Sequence, residues 1–132
     1  MRITLAVVIA ILGMAVSVRP LFAHHSTAAY DCTKIVTLKG AVTSLEWRNP
    51  HVRIHVDAPD AGGKMTHWDV ETWGTGQMSV RGLTNGFLKP GDHVSTDVFV
   101  AKDGNLRAVV HTLTLPDGRT MDGPPTDFDN TR

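Results

Sequence analysis

HVRIHVD (residues 51–57) and MTHWDVE (residues 65–71) are the two stretches that decide the fold of this chain. Each alternates apolar and polar side chains with a period of two, which is the pattern of a strand with one buried face. The apolar side chains that share the predicted inner face are Val52, Ile54, Val56, Trp68 and Val70. Residues 58–64 between the stretches are rich in Pro, Asp and Gly, which favour turns. The pattern therefore predicts an antiparallel hairpin.

Three further strands are predicted around this hairpin. A strand from Ile35 precedes it, and a slip in the apolar phase predicts a bulge near Thr43 and Ser44. Two strands near the C-terminus, starting at Val94 and Leu106, flank a tight turn at residues 103–105. Residues 74–84 lose the alternation and are predicted to contain a short helix with a buried side made of Met78, Val80 and Leu83.

Three strands, one short helix and a hairpin follow the order of an OB-like fold. We therefore predict a mainly β domain, an OB-like five-stranded Greek-key barrel with the helix between strands 3 and 4. Another small β-sandwich or a half-barrel is the alternative. The barrel is assigned to residues 35–120, with a flexible arm at 24–34 and a flexible tail at 121–132 that is rich in Pro, Asp and Gly.

Residues 1–23 have the features of a cleavable signal peptide. Arg2 supplies a basic start, residues 3–18 form an apolar run, and Ala23 is a small residue at the expected cleavage position. A membrane-spanning helix needs about 20 apolar residues, whereas Arg19 and Pro20 end this run. We expect a periplasmic or secreted protein with no stable membrane span after cleavage.

Charge and cysteine content exclude some functions. The chain carries 13 basic and 13 acidic residues, so it lacks the clustered positive charge that nucleic-acid binding requires. Cys32 is the single cysteine, which excludes an internal disulfide. It is either buried or available to pair with another chain.

Cleavage after Ala23 would place His24 at the mature N-terminus. Its α-amine and imidazole would form a chelate of the kind that Cu(II) favours, with His25 beside it. The predicted metal ligands are His24, His25, His51 and Glu71. The alternative is an N-terminus that carries two solvated histidines.

The outer face of the predicted hairpin is the second candidate site. If Asp57 is paired with Met65, antiparallel register places His55 opposite His67, Arg53 opposite Asp69, and His51 opposite Glu71. The predicted ligand-binding residues are Arg53, His55, His67 and Asp69. OB-folds commonly bind ligands on this face. The alternative is an ordinary polar sheet surface with complementary pairs.

Four short segments carry a resemblance to a known family: His24-His25-Ser26, Trp47-Arg48-Asn49-Pro50-His51, Trp68-Asp69-Val70-Glu71 and Leu88-Lys89-Pro90-Gly91-Asp92. In these segments the chain resembles a family of small exported bacterial proteins classed as a domain of unknown function. The resemblance covers nearly all of the mature chain. It implies a periplasmic location and an OB-like barrel, and no established activity.

Sequence motifs of nucleophilic or metal-dependent hydrolysis are absent from the chain. We therefore expect a protein that is not an enzyme, and in first place a non-catalytic binding module. Its partner would be a small molecule, a metal ion or another exported protein. The alternative is a copper-binding or copper-handling protein, for which copper would be the cofactor.

Overall fold

Six strands and one short helix form within residues 29–126, the part of the chain that this computed structural model describes. They are β1 (Tyr30–Glu46), β2 (Arg53–Pro59), β3 (Met65–Glu71), α1 (Thr75–Val80), β4 (His93–Ala101), β5 (Arg107–Thr114) and β6 (Thr120–Asp122). The mainly β architecture with one short helix between strands 3 and 4 is confirmed. The predicted number of five strands is wrong, because β6 adds a sixth.

The strands pair in a closed circuit. β1 pairs with β2 on one side and with β4 on the other, β2 pairs with β3, and β4 pairs with β5, all antiparallel. A parallel pairing of β3 with β5 joins the two ends of this series. The resulting order, β1-β2-β3-β5-β4, is the order expected for OB-like connectivity.

A bulge in β1 lies where the sequence predicts it. Val42 pairs with Val56, and the next pair is Ser44 with His55, so Thr43 is the extra residue. The first part of the 17-residue β1 pairs with β4 and its last part with β2. The bulge bends the strand just after Ala41, where the pairing passes from β4 to β2, and this brings β2 and β3 around the core.

The core is built from the inward side chains of the strands. Val52, Ile54, Val56 and Val70 are at most 1% exposed, and Met78 of α1 is fully buried beside them. The prediction that Val80 is also buried is wrong, since it is 88% exposed. Two residues span about 200° of an α-helix, so Val80 faces away from the core when Met78 faces toward it.

The arm predicted for residues 24–34 is shorter than expected, because β1 begins at Tyr30 and not at Ile35. Tyr30 pairs with Ala101 and packs in a second apolar cluster with Phe99 and Val109. The backbone N–H of Lys102 donates to the carbonyl of Ala29 at 2.9 Å. The start of β1 was not predicted, because residues 31–34 are mostly polar and do not alternate with apolar side chains as a half-buried strand does.

The predicted flexible tail is ordered over its first part. Met121 lies in β6 and is 8% exposed, and Thr126 is 1% exposed. The indole Nε1 of Trp73 donates to the carbonyl of Asp122 at 2.8 Å. The tail therefore packs against the barrel as far as residue 126, and residues 127–132 of the prediction lie outside the described residues.

Within residues 29–126, no helix is long and apolar enough to cross a membrane. The signal peptide predicted for residues 1–23 lies outside this part of the chain.

Candidate functional site: a polar groove on β2 and β3

The outer faces of β2 and β3 carry the predicted polar residues, in a different register from the one expected. Arg53 is opposite Glu71, His55 is opposite Asp69, and Asp57 is opposite His67. The predicted pairs, His55 with His67, Arg53 with Asp69 and His51 with Glu71, are therefore wrong by two residues. A shift of two keeps every side chain on its original face, so the predicted residues remain neighbours.

The register differs because β2 is longer than its turn-like sequence indicates. Ala58 and Pro59 continue the strand and pair with Thr66 and Met65. The loop is thereby reduced to residues 60–64. Asp60 holds it closed, since its carboxylate accepts hydrogen bonds from the backbone N–H groups of Gly62 and Lys64 at 2.8 and 2.9 Å.

Arg53 is the centre of an ion-pair network on this face. Its guanidinium donates to Asp69 Oδ2 at 2.9 Å and to Glu71 Oε1 at 2.8 Å. The three side chains are between 18% and 32% exposed, so the pairs are partly shielded from water. Charge-assisted bonds of this kind fix the positions of both carboxylates.

Each histidine of the groove contacts a carboxylate. His55 Nε2 donates to Glu46 Oε1 at 2.9 Å, and Arg48 contacts the other oxygen of Glu46 at 2.6 Å. The hydrogen bond from His55 is the main cause that lowers the pKa of the Glu46 carboxyl, with smaller contributions from nearby positive charges. His67 Nδ1 contacts Asp57 Oδ1.

His55, Asp57, His67 and Asp69 line a groove of about 320 Å³, which we name the polar groove, whereas the predicted Arg53 lies outside its lining. Its lining consists of Thr43, Ser44, His55, Val56, Asp57, His67, Trp68, Asp69 and Leu106. Sequence reasoning missed Leu106 and Ser44, which the β4–β5 loop and the β1 bulge supply, and it missed Glu46 behind them. The pairing of β1 with β2 is the signal that would have identified Glu46.

Three side-chain polar atoms of the described residues are buried without a hydrogen bond: Oε2 of Glu46, Oδ1 of Asp69 and Nε of Arg107. The first of them lies 2.6 Å from the guanidinium of Arg48. Buried polar atoms are almost always satisfied in proteins. Oδ1 of Asp69 has less than 1 Å² of accessible surface, and the carboxylate is held through its other oxygen by Arg53.

Tyr30 lies close to the same network. Burial, and to a smaller extent the negative charge of Glu71, raise the pKa of the Tyr30 hydroxyl from 10.0 to about 12. The first strand is thus anchored beside the carboxylates of β3.

We expect the phenol of Tyr30 to titrate near pH 12 in the folded protein, measured as phenolate absorbance at 295 nm. Tyr30 is the only tyrosine of the chain, so the signal has one source. Because the unfolded chain releases this proton near pH 10, the stabilising contribution is complete below pH 10 and is lost as the pH rises toward 12. Tyr30→Phe should lack both the absorbance change and this loss, and a midpoint near pH 10 would contradict the buried placement.

His51 is not a member of the polar groove. It precedes β2, and its Nδ1 donates to the carbonyl of Thr72 at 3.0 Å. The predicted approach to Glu71 across the strands is therefore wrong, because Arg53 occupies the position opposite Glu71.

The copper hypothesis stays a prediction. His24 and His25 lie outside the described residues. Within residues 29–126, no group of three or more His, Cys, Asp or Glu side chains is arranged to hold a metal ion.

The fold and the groove together define a small, mainly β protein with OB-like strand connectivity and a charged groove on two adjacent strands. Residues 11–110 match the model of the family of unknown function DUF6152, and the chain belongs to this family. No curated protein matches the chain in sequence.

Among solved structures, the chain is similar to the mitochondrial single-stranded DNA-binding protein Rim1 from S. cerevisiae. The identity is 11% and the TM-score is 0.46, over 69% of this chain and 96% of that protein.

Proposed function

We propose that this protein is an exported, periplasmic binding module without catalytic activity, which holds its ligand in the polar groove of an OB-like barrel. Membership of a family of unknown function leaves the ligand open, so the groove itself carries the proposal. Its polar residues lie on paired strands, which hold side chains more precisely than loops do.

The observation that carries this proposal is the ion-pair network around Arg53. The guanidinium bonds Asp69 and Glu71 at the same time, which holds both carboxylates in one position beside the groove. Side chains that are held in one geometry before a ligand arrives reduce the ordering cost of binding.

The contacts of the two histidines support binding rather than covalent catalysis. His55 is bonded to Glu46 and His67 contacts Asp57, so both imidazoles are engaged by carboxylates. In residues 29–126, no hydrogen bond joins either imidazole to a hydroxyl or a thiol. The nucleophile–base pair of covalent catalysis depends on such a bond.

The proposal is tested by screening a library of small molecules against ¹⁵N-labelled mature protein by NMR. We expect chemical-shift changes that cluster at His55, His67 and Leu106, and His67→Ala should weaken the hits. The His67 side chain is 81% exposed, so its removal should leave the fold intact. The exposed His93 at the start of β4 lies outside the polar groove, and His93→Ala is the matched control.

Two results would contradict this proposal. Shift changes that cluster away from the groove would place the ligand site elsewhere, and a library without hits would deny a small-molecule site. Export is tested separately, since the intact mass of protein recovered from the periplasm should correspond to a chain that begins at His24.

A further inference from the structure

A second cavity, of about 690 Å³, lies at the point where β1 changes its pairing from β4 to β2. Its size is within the range of small-molecule sites. We name it the corner pocket. Gly40 and Ala41 of β1 line it and leave it open, because neither has a large side chain. The corner pocket shares only Asp57 with the polar groove, so it is a separate site.

Part of its lining is exposed apolar surface. Pro59 and Met65, which pair with each other at the end of the β2–β3 hairpin, line the pocket together with Pro116, and all three are exposed. Met65 is 55% exposed although it is a large apolar residue. Small-molecule sites combine apolar surface of this kind with a few polar groups that fix the ligand.

Four polar side chains of the lining share the outer face of the sheet. Lys39 is opposite Ser95, and Ser95 is opposite Thr114, so these three form one row across β1, β4 and β5. Directly opposed residues of paired strands lie on the same face. His93 is two residues before Ser95 on β4 and therefore lies on that face as well.

These four side chains have no hydrogen bond and no ion pair among residues 29–126. The adjacent row of the same strands differs, because the Thr37 hydroxyl donates to Asp97 Oδ1 at 2.6 Å. A lysine ammonium has donors only, and an imidazole and a hydroxyl each have a donor to offer. The group that complements this row is therefore an acceptor.

The carboxylates around the corner pocket are engaged by other groups of the chain. Asp57, the acidic residue of the lining, contacts His67. The carboxylates of the neighbouring strands and loops accept hydrogen bonds from backbone N–H groups or from a hydroxyl: Asp60, Asp92, Asp97 and Asp117. Lys39 keeps an ammonium group that no carboxylate of residues 29–126 contacts. A charged acceptor is therefore favoured over a neutral one.

We propose that the corner pocket binds an organic carboxylate with an apolar body. The carboxylate oxygens accept hydrogen bonds from Lys39 and His93, and the apolar body packs on Met65 and Pro59. Lys39 and His93 are diagonal neighbours on paired strands, a separation that long side chains can bridge. The site is additional to the polar groove and does not depend on binding there.

The test compares three probes with the same apolar body and different head groups: 2-naphthoate, 2-naphthylmethanol and 2-naphthylmethylamine. Each is titrated into the ¹⁵N-labelled protein, and the shifts of His93, Ser95 and Thr114 are followed by NMR. We expect the carboxylate to bind at least about tenfold more tightly than the alcohol, and the amine not to bind, because only the carboxylate offers charged acceptors to this row. Added salt should weaken the carboxylate more than the alcohol.

Lys39→Gln should reduce the affinity for 2-naphthoate by about tenfold and leave that for the alcohol unchanged, since it removes the charge. Lys34→Gln is the matched control, because Lys34 is an exposed lysine of the same strand outside the lining. Met65→Ala should weaken the carboxylate and the alcohol alike, by about fivefold, because it removes apolar contact area. Val80→Ala on the exposed side of α1 is its control.

Several results would overturn this assignment. Equal affinity of the three probes, no binding of 2-naphthoate, or full affinity of Lys39→Gln for 2-naphthoate would each contradict a carboxylate site. Shift changes at His55 and Leu106 instead of His93 would place the probe in the polar groove, which leaves the proposed function standing. A dimer in sedimentation experiments that Met65→Ala dissociates would show that a second copy of the chain covers the pocket.

Discussion

Gly40→Ala is expected to lower the free energy of unfolding by about 3 kcal/mol, the upper end of the usual range for overpacking. A Cβ atom at this position would lie 2.0 Å from the carbonyl oxygen of Asp57 and 3.0 Å from Cα of Ala58. Both of these atoms belong to the backbone of β2, so no side-chain rotation relieves the clash. The two strands would have to separate.

The close approach at Gly40 follows from the path of β1. Gly40 pairs with Val94 of β4, and the next residue, Ala41, already pairs with Asp57 of β2. The strand therefore changes partners at this point, and only a residue without a side chain allows β2 to come so near. Substitution should disturb the hairpin that carries the polar groove.

Gly76→Ala is the matched control and should have the opposite sign. Gly76 lies in α1, and nothing is within 4 Å of the position of its Cβ. Alanine in a helix is more stable than glycine by about 0.5 to 1 kcal/mol. Urea denaturation measures both variants, and equal effects of the two substitutions would show that the close approach at Gly40 is not a constraint on the fold.

The sequence predicted those parts of the fold that depend on local pattern. Alternation in residues 51–57 identified the buried face of β2, and the phase slip after Val42 identified the bulge. The buried face and the bulge can both be identified from a few consecutive residues, because the side chains of a strand alternate between its faces.

The register of the hairpin could not be predicted, because Pro59 has two compatible roles. Proline is frequent in turns, and it is also tolerated at the end of a strand where its missing N–H breaks no pair. Asp57 is the last residue of β2 that pairs with β1, so Pro59 interrupts no hydrogen bond between these strands. Only the position of β1 decides between the two roles.

The candidate site also contains residues that the local sequence pattern predicts and residues that it does not predict. Arg53, His55, His67 and Asp69 were predicted, because polar residues that alternate with a buried face share the other face. Leu106 enters the groove from a loop 37 residues beyond Asp69 in the sequence, through the parallel pairing of β3 with β5. This contact depends on the tertiary fold, and no pattern in the neighbouring residues indicates it.

Truncation of the chain after Arg119 is expected to lower the free energy of unfolding by about 3 to 5 kcal/mol, at the level of losing a large buried side chain. The deletion removes the 8% exposed Met121 and the 1% exposed Thr126. It also removes the carbonyl of Asp122, which accepts from Trp73, and the N–H of Gly123, which donates to His111 at 2.8 Å. A loss of this size is a large fraction of the stability of a small domain.

Two point variants separate the packing of β6 from the other effects of truncation. Met121→Ala should reproduce about 2 kcal/mol or more of the loss, because it removes buried apolar surface. The neighbouring Thr120 is exposed, and Thr120→Ala should change the stability by less than about 0.5 kcal/mol. Urea denaturation of the three variants gives the comparison.

A truncated protein with unchanged stability would contradict the packing of β6 and would support the flexible tail that its composition indicates. Pro, Asp and Gly are poor strand formers, so the tail packs only if Met121 finds an apolar surface. That surface exists between β5 and the segment after α1, where Leu83, Leu115 and Met121 line one cavity. The burial of Met121 therefore distinguishes the two results, and Met121→Ala should account for a substantial part of the loss that truncation produces, with the hydrogen bonds of Asp122 and Gly123 contributing to the rest.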